Sequence, residues 1–184
     1  MSRLHIPPTV EASPDRSRSP LNAVLKKLGT VPNLFRLVAN SPAALEGYLG
    51  IGHALSSATL DARTQERIAI VVAELNGCAY CLSAHSYLGR HVARLDDAEI
   101  AANRHGASNH PRADAAIRFA AALVLGRGHV SDAELAAVKA AGYGDAEIVE
   151  IVLTVALNTF TNYVNEVAQT EIDFPVVTPA RAAA

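Results

Sequence analysis

Apolar residues recur along this chain at three- and four-residue intervals, and short breaks rich in glycine, proline, serine and aspartate separate the recurrences. Ile68, Val71, Val72 and Leu75 form such a stripe, which predicts a helix over residues 62–75 with Asp61 as its N-cap. Asn76-Gly77 interrupts it, and CAYCLSAHSYLG then predicts a helix that runs to Gly89. Upstream, residues 21–28 predict a short helix stopped by Gly29, and Pro32-Asn33 opens another through Val38. Ser41-Pro42 reads as an N-cap and first-turn proline for a helix over residues 43–57. Downstream, Asp96 with Glu99 reads as a capping box for a helix ending at Gly106, and His110-Pro111 opens an alanine-rich helix over residues 112–125. Ser131 with Glu134 is a second capping box, for a helix ending at Gly142. After Asp145, residues 146–169 form a long helix that is apolar on nearly every side of its first half, which places it at the centre of the core. No segment alternates with period two between hairpin turns, and nothing suggests a βαβ unit. The fold class is all-α, with about eight or nine helices.

The ends are different. Residues 1–19, with Pro7, Pro8 and Pro14, read as an extended arm that either stays disordered or lies across its own domain or a neighbouring subunit. The helical domain is expected over residues 20–175, and residues 176–184 as an irregular tail on the surface. Residues 68–76 faintly echo residues 149–158, both closing on Leu-Asn, which leaves room for a duplicated helical unit.

With 184 residues, half of them hydrophobic, the chain can bury one substantial core. A net charge of −2 with no basic cluster gives no reason to expect nucleic acid as a partner. No apolar run approaches the roughly 18–20 residues of a membrane span, so no membrane partner is expected. The N-terminus lacks the apolar core of a signal peptide, and the expected location is the cytoplasm. There a C-x-x-C pair serves redox chemistry or metal binding more readily than structural stapling.

The chain's only two cysteines, Cys78 and Cys81, have that spacing, and His85 follows the second by four residues. On a helix beginning after Gly77 all three share one face, and the cysteines occupy the first turn, where unpaired amides and the helix dipole favour a thiolate. Glu66 on the preceding helix is placed to meet this face, with Glu74 as the alternative. Two other readings stand beside redox chemistry. One is a pair of buried structural thiols. The other is a zinc site built from both cysteines, His85 and one more ligand, although a second C-x-x-C or a paired-histidine element is missing. Tyr80 either lines the pocket or simply packs. His53, His91, His105, His110 and His129 are scattered and read as surface or packing residues. Asn158 and Asn162, on the long apolar helix, need hydrogen-bond partners if buried, either at the active site or at a contact between helices or subunits.

Glu66-x11-Cys78-x2-Cys81-x3-His85 resembles the signature of the alkylhydroperoxidase AhpD group in the carboxymuconolactone decarboxylase superfamily. The likeness extends over most of residues 30–175, including Arg67-Ile68-Ala69, Asn76-Gly77 and AAGYGDAEIVEIVLTVALNTFTNYVN. It implies an all-α AhpD-like domain, assembly into homotrimers or homohexamers, and thiol-based reduction of a hydroperoxide with no bound metal or cofactor. By the same resemblance Cys81 is the peroxidatic thiol, Cys78 the resolving one, and His85 and Glu66 the proton relay, with an external dithiol as reductant. One position departs from the pattern. The best-studied branch has a relay histidine just before the second cysteine, where this chain has Tyr80, a poor base near neutral pH. The competing functions are a decarboxylase acting on a lactone acid and a non-enzymatic, redox-sensing oligomer.

Overall fold

Among the described residues, 2–180, the computed structural model contains nine helices and no strand. They are α1 (Asp15–Leu28), α2 (Asn33–Val38), α3 (Pro42–Leu55), α4 (Ala62–Leu75), α5 (Ala79–His91), α6 (Asp97–Arg104), α7 (Pro111–Leu125), α8 (Asp132–Ala140) and α9 (Asp145–Ala168). The all-α expectation holds, and most helices start where their caps predict. Asp61 accepts from the Thr64 backbone N–H at 2.9 Å, and Ser41 and Ser131 cap α3 and α8 in the same way. Replacing Asp61 by alanine should therefore destabilise the fold by about 1 kcal/mol, read from chemical denaturation. No change in midpoint would mean that water caps α4 equally well.

The helix at the centre is α4, not α9. Residues 67–74 of α4 are buried without a break. Ile70 and Ala73 pack into one apolar cluster with Leu21, Leu34, Leu45, Tyr80 and Leu82. Ile68, Val71 and Val72 pack into a second cluster with Ile117, Leu123, Val138 and Ile151. So α4 divides the core, with α5 and the N-terminal helices on one side and α7, α8 and α9 largely on the other. Burial of each large apolar side chain here contributes about 1.5–3 kcal/mol. α9 buries Ile148, Ile151 and Val155 but leaves Val149, Val152, Phe160, Tyr163 and Val167 exposed. Its apolar character on many sides comes from a core face plus an uncovered face.

Two other expectations need correcting. α1 starts at Asp15, within the stretch assigned to the arm, and runs through Pro20. The proline lacks only the N–H that would bond to the carbonyl of Arg16, and Ser17, Leu21 and Val24 hold that turn against the core. Ser17 Oγ donates to the Ala39 carbonyl at 2.8 Å. The chain before α1 lies across its own domain. Arg3 N–H donates to the Ala168 carbonyl at 2.6 Å, Asn40 Nδ2 to the His5 carbonyl at 2.7 Å, and Val10 joins the first apolar cluster. At α6 only half of the expected capping box forms. Asp96 accepts from Glu99 N–H, but the Glu99 carboxylate turns inward to Arg67. The tail is irregular, as expected, yet fastened. Val177 N–H donates to Ser83 Oγ at 2.9 Å and Ala180 N–H to Glu74 Oε1 at 2.6 Å. The expected tail continues past Ala180, outside the described residues.

Candidate active site at the corner of two helices

The site is built on the turn between α4 and α5. Gly77 takes φ 70°, a left-handed conformation that a glycine adopts without strain. Its N–H donates to the Glu74 carbonyl at 3.2 Å, and Cys78 N–H donates to the Ala73 carbonyl at 3.0 Å. These two bonds are the Schellman termination of α4. Cys78, the last residue of that motif, is also the N-cap of α5, and its Sγ accepts from Cys81 N–H at 3.4 Å. One short turn therefore ends the central helix, starts the next and brings the two sulfurs to the same helix end. Both cysteines are free thiols and both are buried, at 0% and 2% exposure.

Across the α4–α5 contact, His85 Nδ1 lies 2.8 Å from Glu66 Oε1. Gly89 lies at this contact, where a Cβ would make only ordinary van der Waals contacts, 3.4 Å from Ile70 Cδ1 and 3.8 Å from Glu66 Cγ. Glu66 is thus the carboxylate that meets the cysteine face. The alternative, Glu74, instead accepts from Arg104 Nε at 2.7 Å and from the tail.

The two thiols have opposite electrostatics. Burial alone would push Cys81 up, but the hydrogen bond with Cys78, the charge of His85 and the amides of Asn165 and Asn162 bring it down to about 7. Cys78 is pushed upward by the same hydrogen bond with Cys81 and by burial. Of the two sulfurs, Cys81 is therefore the one whose surroundings favour the thiolate. His85 is held above its ordinary value: burial works against its charge, and Glu66, the Cys81 thiolate and Asn158 outweigh that. Cys81, His85 and Glu66 line a cavity of about 170 Å³, together with Leu34, Tyr48, Leu55, Tyr80, Leu157 and Asn158. A larger hollow of about 990 Å³ lies against α7 and α8 and is lined by neither cysteine nor His85.

Tyr80 both packs and lines the cavity. Its hydroxyl accepts from Leu34 N–H at 3.1 Å, its ring meets Phe174 edge-on, and burial raises its pKa, so it stays protonated. It points away from a proton-transfer role. His53, His91, His105, His110 and His129 are all exposed. Among the described residues no three histidine, cysteine or acidic side chains converge as a metal-binding group. Asn158 does face the cavity, and Asn162 bonds to Asn76 beside it. Two site residues escaped the sequence reading. Tyr48 carries no local signal. Asn165, whose Nδ2 donates to Cys81 Sγ at 3.1 Å, completes a polar stripe with Asn158 and Asn162 at four- and three-residue spacing, and that spacing was visible.

Residues 42–122, which include the whole of this corner, match the model of the Carboxymuconolactone decarboxylase family. A comparison with curated proteins gives no match. Among solved structures, the chain is similar to an alkylhydroperoxidase AhpD core, an uncharacterized peroxidase-related protein from Ralstonia eutropha JMP134. The TM-score is 0.82 and the identity 26%, with 94% of this chain and 92% of that chain covered. A peroxidase-related protein from Silicibacter sp. TM1040 has the same fold at TM-score 0.80 and 23% identity, covering 92% and 91%. So does the debrominase Bmp8, solved with 2,3,4-tribromopyrrole, at TM-score 0.72 and 19% identity, covering 88% and 90%. The family match over residues 42–122 and the shared fold over nearly the full length agree: the chain has an AhpD-like all-α fold and is similar, over the α4–α5 corner, to the carboxymuconolactone decarboxylase family.

Proposed function

We propose that the protein is a thiol-dependent hydroperoxidase of antioxidant defence, working through Cys81 and Cys78. The observation that carries the reading is the ionisable Cys81 thiol, buried beside the Glu66–His85 pair on the wall of a small, mainly apolar cavity. In the proposed cycle the Cys81 thiolate attacks the terminal peroxide oxygen. The S–O bond forms, the O–O bond breaks, and the leaving alkoxide takes a proton from His85 to depart as alcohol. Cys78 then displaces hydroxide from the sulfenic acid, which leaves as water once protonated, and a Cys78–Cys81 disulfide remains. An external dithiol reduces it by exchange, so one hydroperoxide and one dithiol become alcohol, water and disulfide. Tyr80 takes no part in proton transfer, and His85 with Glu66 carries it alone.

The lactone-acid reading fits this cavity less well. Such a substrate brings a carboxylate, and the lining includes Glu66 but no lysine or arginine among the described residues. The proposal extends to place and assembly. No helix among the described residues is long and apolar enough to cross a membrane. The reading puts the chain in the cytoplasm, where thiols stay reduced, and its apolar α9 face against a second copy, in a homotrimer or homohexamer.

The test is peroxide-dependent loss of both thiols and continuous peroxide consumption in the presence of a dithiol. In Cys78→Ser, one equivalent of peroxide should leave a sulfenic acid that a 1,3-diketone traps on Cys81, with turnover by the dithiol suppressed. Thiols that cycle with oxidation and change assembly without consuming peroxide would favour the redox-sensing oligomer instead.

A further inference from the structure

α9 presents three asparagines to the site, and the proposed peroxide chemistry uses none of them. Asn162 and Asn165 are 0% and 2% exposed, as deeply buried as the cysteines. A buried amide without a partner costs about 1–3 kcal/mol, so each donor here calls for an acceptor. Asn165 Nδ2 has one, Cys81 Sγ at 3.1 Å. Asn162 has its carbonyl oxygen bound by Asn76 Nδ2 at 2.8 Å, which orients its amide, and its own Nδ2 has no partner. A neutral thiol is a weak acceptor, whereas a thiolate is a strong one. Asn165 thus aims a buried amide donor at the sulfur, and Asn162, one turn away on the same helix, keeps a second buried donor without a partner, an arrangement better matched to an anion than to a thiol.

We propose that Asn165 and Asn162 are positioning residues that form an amide cradle for the Cys81 thiolate, with Asn76 aiming Asn162 from the α4–α5 turn. The inference rests on the reading that Cys81 reacts as a thiolate. Neither asparagine lines the cavity, so the cradle sits behind the sulfur and leaves its cavity side open to substrate. The same turn that makes Cys78 the N-cap also supplies Asn76, so the cradle and the sulfur pair are set by one piece of backbone. The titratable and charged groups around Cys81 are Cys78, Tyr80 and His85 on or capping α5, Glu66 on α4 and Tyr48 on α3, with Glu166 of α9 acting on Cys78. Of these only His85 brings positive charge. The amides supply stabilisation that does not depend on pH.

The test is the pH dependence of alkylation at Cys81, resolved from Cys78 by mass spectrometry. Asn165→Leu should move the Cys81 midpoint up by about one pH unit, a tenfold loss of thiolate below the midpoint, with the far-ultraviolet spectrum retained. Asn162→Leu should move it in the same direction. An unmoved or lowered midpoint in the folded variants overturns the proposal, because it means the amide carbonyl, turned toward an S–H, was the group facing the sulfur. Should the variants fail to fold, the unmutated protein decides. The side-chain amide signals of Asn165 and Asn162 in nitrogen-15 spectra must titrate with the Cys81 midpoint, and flat signals overturn the cradle. Neither measurement needs peroxide. A protein that shows the shift but consumes no peroxide keeps the cradle and loses the peroxidase, and the converse result separates them the other way.

Discussion

Cys81→Ser should lower peroxide consumption by at least on the order of 10³-fold, with the helical fold and thermal unfolding little changed. The size follows from the nucleophile. A serine hydroxyl in the same position is not ionised at neutral pH, and the donors that hold a thiolate cannot bring it within reach. The loss should be larger than for His85→Leu, expected at about 10²-fold, the low end of what general acid–base catalysis contributes, because a general acid can be partly replaced by water. Consumption measured with excess dithiol and normalised to folded protein checks both. A serine variant that consumes peroxide as fast as the unmutated chain would remove Cys81 from the mechanism.

The second large effect lies outside the cavity, at the ion pair between α4 and α6. Arg67 Nε donates to Glu99 Oε1 at 2.6 Å, with the two side chains 7% and 2% exposed. Glu99 also accepts from Ser108 Oγ and from Asn109 N–H, and Asn103 Nδ2 lies 3.2 Å from it. Glu99→Ala leaves the Arg67 guanidinium buried without its counter-charge. The expected destabilisation is about 3–5 kcal/mol, a fall of roughly 10 °C in Tm. The pair also sets an acid limit. Burial opposes the Glu99 charge, but its hydrogen bonds to Ser108, Asn109, Arg67 and Asn103 bring its pKa down to about 2 from an ordinary 4.5. A depressed carboxylate contributes stability that is fully present above its unfolded pKa and is lost as pH falls through the folded one. The stabilisation, on the order of 3 kcal/mol, should thus fade between about pH 5 and pH 2. Denaturation midpoints followed over that range should show the loss in the unmutated chain and a flatter profile in Glu99→Ala. Equal slopes in both would place the acid sensitivity elsewhere.

The helices were legible because their ends carry local chemistry. Asp61, Ser41-Pro42 and Ser131 with Glu134 each place a cap that backbone amides require, and the structure uses all of them. Where a residue had a stronger distant partner, the local reading failed. Glu99 fits a capping box by spacing, but a buried guanidinium claims its carboxylate. Pro20 fits a helix boundary by type, but burial of Ser17 and Leu21 on either side carries α1 through it. The cysteine face was legible from helical spacing alone, since Cys78, Cys81 and His85 lie within one short segment. The pairing of Glu66 rather than Glu74 with His85 depends on how α5 crosses α4, which spacing within either helix does not encode. The roles of Asn165 and Tyr48 depend on contacts spanning much of the sequence, so only the shared face of Asn158, Asn162 and Asn165 hinted at them.

Glu66 has two outlooks. On one side it borders the chamber that holds Cys81, and on the other a groove of about 550 Å³ formed with Arg63, Leu88, Val92 and Arg94. A carboxylate set into a partition in this way can exchange a hydrogen ion with bulk water on its outer side while its inner side stays bonded to the imidazole. Traffic of substrate and traffic of acid then need no common doorway. In the proposed cycle an oily reactant can occupy the cavity on one side of Glu66 while charge is balanced from the groove on the other.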